Sequence, residues 1–308
     1  MEMINRRSFS SLIPVLCAAL LLAAGSAFAQ APAPGPARGP AGFGARGAPV
    51  PAVPSGTRAT GDQQREYLFS PTGQKMPYRL YVPRSWNGKD SLPILLFLHG
   101  AGANERTYFD MNDGQMMKLA EQHGYIVVSP LGFTAMGAFG NPLRLPAVWG
   151  ADPAIAAEQR AAVTPERRRE LALSELEVIT ALEVVTEEYG ADRARTFLAG
   201  HSMGSGGAWH LAARWPDRWA AVAPLSGAFI DSSYPFETLR NLPIFMTEGT
   251  QGTPSLAGSR ALDKYLKANK FDKYKYMEVD GNHGSMIPMV LPSIFDFFDR
   301  VASGGGKP

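Results

Sequence analysis

Residues 195–214 read RTFLAGHSMGSGGAWHLAAR, and the fold class follows from their order. Arg195–Ala199 suits a short buried strand. From Met203 the residues are small or apolar, as in a helix packed against a sheet, until Trp215-Pro216 ends it. Between them lies Gly200-His201-Ser202-Met203-Gly204, a G-x-S-x-G pattern. That pattern is weak evidence alone, since this much Gly and Ser gives about 0.2 chance matches per chain. Between a strand and a helix it gains meaning. Small flanking residues let the backbone turn sharply and lift a serine hydroxyl off the sheet edge.

Outward from this turn, strands alternate with helices. Tyr67–Phe69 and Tyr78–Val82 read as an antiparallel pair around Pro71-Thr72-Gly73. The run from Ile94 to Leu98 is apolar throughout, as in a strand covered on both faces. Tyr125–Ser129, Ala220–Pro224, Pro243–Met246 and Tyr274–Val279 repeat the signal. The clearest helix has Thr164 as N-cap, Pro165 at its first position, an apolar stripe of Leu171, Val178, Leu182, Val185 and Tyr189, and Gly190 as its stop. This alternation predicts an α/β domain over residues 62–308, a mostly parallel sheet with helices on both faces. The stretch from Gly132 to Val163 is long for a connection: it is either a disordered surface insertion or one wall of the substrate pocket, and its apolar content favours the wall.

A serine needs a base to take its proton. Of the five histidines, His99 closes a buried strand and His201 sits within the turn. His210 falls inside the next helix, and His123 lies at a helix end. His283 stands apart in the polar loop Asp280-Gly281-Asn282-His283-Gly284, after the last strand, where a side chain can reach a serine on a neighbouring turn. An oxyanion hole needs two backbone N–H groups. Met203, next to the serine, offers one, and Ala101 in the small-residue loop His99-Gly100-Ala101-Gly102 offers the other.

The order of strand, H-G-x-G, G-x-S-x-G and late histidine resembles the α/β-hydrolase superfamily over residues 65–302. The run AGHSMGSGGAWHLAARWPDRWAAVAPLSG is similar to secreted prolyl-oligopeptidase-like, polyhydroxybutyrate-depolymerase-like and feruloyl-esterase-like hydrolases. The resemblance implies a Ser-His-acid triad with its acid, an Asp, in a turn after the seventh strand. Here that turn reads Glu248-Gly249-Thr250-Gln251-Gly252-Thr253, with Gly252 at the expected Asp position. Glu248, at the end of the same strand, is favoured as the acid. Asp231 after the sixth strand, Asp280 in the histidine loop, or no acid at all are the alternatives.

Composition excludes other routes. Residues 1–61 hold five arginines and one acidic residue, so of the formal net charge of +2 the remainder carries −2. That is no basic platform for nucleic acid. Cys17 is the single cysteine, and no His/Asp/Glu cluster has metal spacing, so neither metal nor cofactor is expected. Arg6-Arg7, the apolar run Leu12–Ala24 and Ala27-Phe28-Ala29 read as a signal peptide over residues 1–29, too short for a membrane anchor. Arg6-Arg7-Ser8-Phe9 also resembles a twin-arginine signal. Residues 30–61, rich in Pro, Gly and Ala, read as a flexible leader. The expectation is therefore a secreted or periplasmic serine esterase acting on a small or polymeric ester, with no stable membrane insertion. A prolyl-oligopeptidase-like peptidase is the alternative, disfavoured because the chain lacks the gating domain of those relatives. A non-catalytic binding protein that kept the turn and lost the acid is the other.

Overall fold

In a computed structural model, residues 57–304 are described. The expected signal peptide lies outside the described residues, as does the leader up to residue 56. The leader's last residues are packed on the domain. The Arg58 guanidinium lies 4.9 Å from the Trp86 ring centre, and the Ala59 carbonyl accepts from Gln63 and from the Tyr189 hydroxyl.

Eight strands form one sheet: β1 (Gly61–Phe69), β2 (Gln74–Val82), β3 (Ile94–Leu98), β4 (Ile126–Pro130), β5 (Thr196–His201), β6 (Ala221–Leu225), β7 (Ile244–Gly249) and β8 (Tyr274–Val279). Their spatial order is β1-β2-β4-β3-β5-β6-β7-β8. Only β2 runs against the rest, pairing antiparallel with both β1 and β4. Beside each other at the centre, β3 and β5 pair from Ile94↔Thr196 to Leu98↔Gly200. This register places the loops after both strands at the same carboxyl edge, where parallel sheets build their sites.

Among the described residues seven α-helices accompany the sheet: α1 (Thr107–Asp110), α2 (Gln115–His123), α3 (Pro153–Ala161), α4 (Pro165–Tyr189), α5 (Met203–Arg214), α6 (Leu256–Ala268) and α7 (Met286–Ala302). Alternate residues of each strand feed two cores. Ile94, Leu96 and Leu98 face the side of α4, α5 and α6, with Leu182, Trp209 and Leu262. Leu95 and Phe97 face α2 and α7, with Met116, Phe295 and Phe298. Helix α4 starts and stops as the sequence predicts: the Thr164 hydroxyl accepts from the Arg167 N–H, and Gly190 closes the end at φ 63°.

The stretch after β4 differs from a plain connection, because it contains α3 and is wired to α4. Arg167, Glu170, Ser174 and Glu177 recur every three or four residues, on one face of that helix. Arg167 donates to the Met136 carbonyl, and Glu170 accepts from Thr134. Ser174 donates to the Gly132 carbonyl and accepts from the Phe139 N–H. Glu177, fully buried, accepts from the Gly132 N–H at 2.8 Å and from the Tyr67 hydroxyl at 3.1 Å.

Burial pushes the Glu177 carboxyl up to about 7, with Glu105 adding to the effect and its hydrogen bonds opposing it. The folded state therefore holds a proton that the unfolded state releases between about pH 4.5 and 7. Stability contributed by this group falls as pH rises through that window, by on the order of 3 kcal/mol at most. Glu177→Gln can keep its oxygen toward the Gly132 N–H and turn its amide to the Tyr67 oxygen. This variant is expected to melt several degrees above wild type at pH 8 and close to it at pH 5, read by thermal denaturation across pH. An equal difference at both pH values would contradict a titrating Glu177.

Candidate active site

Ser202 sits between β5 and α5 with φ 57° and ψ −117°, a conformation that L-residues rarely adopt. Close approaches on either side explain the glycines. A Cβ at Gly200 would lie 2.2 Å from the Gly204 carbonyl oxygen, and one at Gly204 would lie 2.2 Å from the Leu98 carbonyl oxygen. Any larger residue would push α5 away from β3 and β5. The Ser202 N–H is spent on the Leu225 carbonyl at 2.9 Å, which ties the turn to β6.

His283 arrives from the loop between β8 and α7. Asn282 shapes this loop, its side-chain oxygen accepting from the Gly284 and Ser285 N–H groups. The ring bridges two hydroxyls: Nε2 is 2.9 Å from Ser202 Oγ, and Nδ1 is 2.8 Å from Ser226 Oγ. Ser226 follows β6 directly and in turn donates to Glu248 Oε1 at 2.6 Å. Glu248, fully buried, also accepts from the Gly249 N–H, Ser255 and Ser259. Burial lowers the His283 pKa and the nearby Glu248 charge partly restores it. The ring is thus biased toward its neutral form, with a lone pair available to a hydroxyl proton.

His201 is a strut. Its Nε2 lies 2.7 Å from the His283 carbonyl oxygen, and a carbonyl only accepts, so Nε2 carries the proton. Nδ1 must then accept, and it takes the Tyr108 hydroxyl proton at 2.7 Å. The Tyr108 oxygen accepts in turn from the Gly100 N–H at 3.1 Å. One neutral tautomer thus joins the loop after β3 to the His283 loop across the Ser202 turn. Burial holds the His201 pKa down to about 3, with the neighbouring His283 adding to the effect, so the tautomer persists at working pH.

The loop after β3 is anchored elsewhere too. The Gly102 N–H donates to the Ala135 carbonyl and Ala103 N–H to Gly100. Between them, the Ala101 N–H has no protein acceptor among the described residues, and neither has Met203 N–H at the start of α5. Two free backbone donors flank a serine hydroxyl that is hydrogen-bonded to an imidazole. The arrangement suits attack on a carbonyl carbon, with the developing oxyanion held by main chain.

The family model named Esterase matches residues 70–283, well over half of the chain. The chain belongs to the Esterase family. This is the family type the sequence pointed to, and the mostly parallel sheet with helices on both faces is the fold it predicted. The chain is 25% identical over 171 residues to the bifunctional acetylxylan esterase/xylanase XynS20E of Neocallimastix patriciarum, covering 56% of this chain and 20% of that protein. It thus spans about a fifth of the length of the curated relative it matches. Among solved structures it shares its fold with a ferulic acid esterase, at TM-score 0.56 and 17% identity over 79% of this chain and 100% of the other. A fluorophosphonate-binding serine hydrolase, FphF of Staphylococcus aureus, matches at TM-score 0.57 and 15% identity, over 78% of this chain and 99% of its own.

Of the three carboxylates weighed from the sequence, the structure brings only Glu248 into the hydrogen-bond network of His283. Asp231 is paired with Arg160 and bonded to Ser233, which holds its carboxyl down to about 2. Asp280 accepts from Gln251 at 2.8 Å and turns outward. Glu248 does not touch the imidazole, however, because the Ser226 hydroxyl stands between them. Sequence reasoning missed Ser226, since Leu225-Ser226-Gly227 reads as an ordinary strand end. It also left Tyr108 and His201 without a role. Their only signals were a buried aromatic hydroxyl and a histidine inside the turn. Among the described residues no group of His, Cys, Asp and Glu could hold a metal ion.

Tyr108→Phe removes one hydroxyl and leaves the Gly100 N–H and His201 Nδ1 unpaired while keeping the ring against Phe97. Its kcat on a short-chain ester is expected to fall roughly ten- to a hundredfold with KM changed only a few-fold, because the loop after β3 and the His283 loop lose the bond that joins them. A kcat within twofold of wild type would show that the strut is not needed.

Proposed function

We propose that this protein is a secreted serine esterase that works through an acyl-enzyme. Ser202 attacks the ester carbonyl as His283 Nε2 takes its proton, and the Ala101 and Met203 N–H groups receive the oxyanion. The imidazolium then protonates the leaving alcohol. Water, deprotonated by the same Nε2, cleaves the acyl-serine and restores the hydroxyl. Glu248 contributes a buried negative charge that favours the imidazolium formed in each half-reaction. The 2.9 Å contact between Ser202 Oγ and His283 Nε2, in the reach expected of a nucleophile and its base, carries this reading.

The names of two relatives support a substrate class. One is named for acetylxylan and another for ferulic acid, so an acetyl or feruloyl ester of a carbohydrate is the proposed substrate. Export through the N-terminal segment would place the enzyme where such esters occur. No described helix is long and apolar enough to cross a membrane.

Ser202→Ala is expected to lose at least a thousandfold in kcat on p-nitrophenyl acetate and to resist fluorophosphonate labelling, with an unchanged melting temperature. Activity above a few per cent would refute Ser202 as nucleophile. Parallel assays on ethyl ferulate and a matched anilide separate esterase from peptidase, with the ester expected to be the one cleaved.

The carboxylate is tested through pH. Its charge raises the His283 pKa against the effect of burial, so removing it lowers that pKa further. Glu248→Gln should therefore lower kcat and move the acidic limb of kcat/KM to lower pH. Asp231→Asn should change activity only a few-fold. The opposite pattern would transfer the acid to the sixth strand, and two unchanged profiles would mean that His283 works without either.

A further inference from the structure

We infer that Ser226 is a positioning residue of the hydrolase reaction, a hydroxyl relay through which Glu248 orients and polarises His283. The inference rests on the Ser202–His283 reading above and adds a fourth member to it.

Proton directions determine the relay. The Glu248 carboxylate has only acceptors, and its oxygens take hydrogen bonds from the Ser226, Ser255 and Ser259 hydroxyls and the Gly249 N–H. Ser226 therefore spends its single proton on Glu248, at 2.6 Å. Its oxygen is left as an acceptor toward His283 Nδ1, at 2.8 Å. Nδ1 must then carry a hydrogen, and Nε2 is left with the lone pair that faces Ser202. A single hydroxyl thus selects the reactive tautomer, the task a directly bonded carboxylate performs elsewhere. No proton leaves Ser226 in the cycle: the Nδ1 hydrogen stays on the ring while Nε2 gains and loses the travelling one.

Backbone conformation supports this independently. Ser226 is fully buried at φ 50°, in the left-handed region where glycine is favoured. Glycine has no Cβ and could carry no hydroxyl. A strained, non-glycine residue at the junction of three site segments is where function retains strain. The Ser226 N–H is anchored to the Thr247 carbonyl at 2.9 Å, which sets the side chain between β7 and the His283 loop. The carboxylate also has no Lys or Arg partner among the described residues. Hydroxyls and one N–H hold it, so its charge is not cancelled before it reaches the ring.

The titratable groups around the relay leave a clean pH window. His201 packs 4.5 Å from the His283 ring centre and is held down to about 3. Tyr276, on β8 beside Glu248, lies well above its ordinary value through burial and its bond to Glu278. Between pH 5 and 9, His283 is the group whose titration the relay controls.

The test is a double-mutant cycle on the full-length enzyme with p-nitrophenyl acetate, using Ser226→Ala, Glu248→Gln and the pair. Ser255→Ala serves as a control that removes a hydroxyl from Glu248 without touching His283. Ser226→Ala is expected to lower kcat about a hundredfold with KM changed less than threefold, and to move the acidic limb to lower pH. Adding Glu248→Gln to it should cost less than a further threefold, because the charge no longer has its route. Ser255→Ala should stay within about fivefold of wild type. If Ser226→Ala melts markedly below wild type, Ser226→Cys, which keeps the shape and weakens both bonds, is read in its place and must show the same coupling with Glu248→Gln. Multiplying losses would show that Glu248 acts on His283 without Ser226, and near-wild-type kcat in the Ser226 variant would remove the relay altogether. Ser202→Ala in the same series keeps the two readings apart: if it is inert while Ser226→Ala is fully active, only the relay fails.

Discussion

The turn at Ser202 is the constraint on which the carboxyl edge of the sheet depends. Its backbone conformation is sharp enough that Gly200, Gly204 and the Leu98 carbonyl approach to distances no side chain would allow. Because β3 and β5 are neighbours in register, closing this turn brings the loop after β3 against the serine. Gly100 marks the convergence: a Cβ there would lie 3.1 Å from the Tyr108 hydroxyl, 3.4 Å from His201 Nδ1 and 3.5 Å from Ser202 Cβ. The Ser202 turn, the loop after β3 and the strut share one small volume, so none can be placed independently of the others.

Two chains of hydrogen bonds radiate from this point, and each has a fixed direction. One runs from the Gly100 N–H through Tyr108 and His201 to the His283 carbonyl. The other links Ser202 through His283 and Ser226 to Glu248. Both gain their direction from a group that can act in only one sense, a carbonyl or a carboxylate. His283 is thus held by its main chain on one side and by its ring on the other. Preorganisation of this kind spares the reaction the cost of arranging its dipoles at the transition state.

A third layer holds the frame rather than the chemistry. Helix α4 presents Glu170, Ser174 and Glu177 to the segment after β4, and that segment supplies the Ala135 carbonyl to Gly102. Asn141 in the same segment donates to the Gly206 and Phe229 carbonyls, clasping α5 to the loop after β6. The buried Glu177 is held for these contacts despite the cost of burying a carboxyl.

The α/β fold, the strand-turn-helix at Ser202 and the separation of His283 from the other histidines were all legible in the sequence. Each depends on local signals: continuous apolar runs, caps such as Thr164 and Gly190, and small residues where the chain must turn. The Glu248 carboxylate was legible as a candidate because it ends a strand at the same sheet edge as the turn. Tertiary structure alone decided how it acts. Ser226 comes from the end of β6 and Ser255 and Ser259 from the start of α6, and a left-handed serine leaves no mark in its neighbours. The same is true of Tyr108 and His201, which are 93 residues apart and meet only when β3 and β5 pair. Local sequence encodes what a segment can be, whereas hydrogen-bond direction is set between segments, and only folding brings those together.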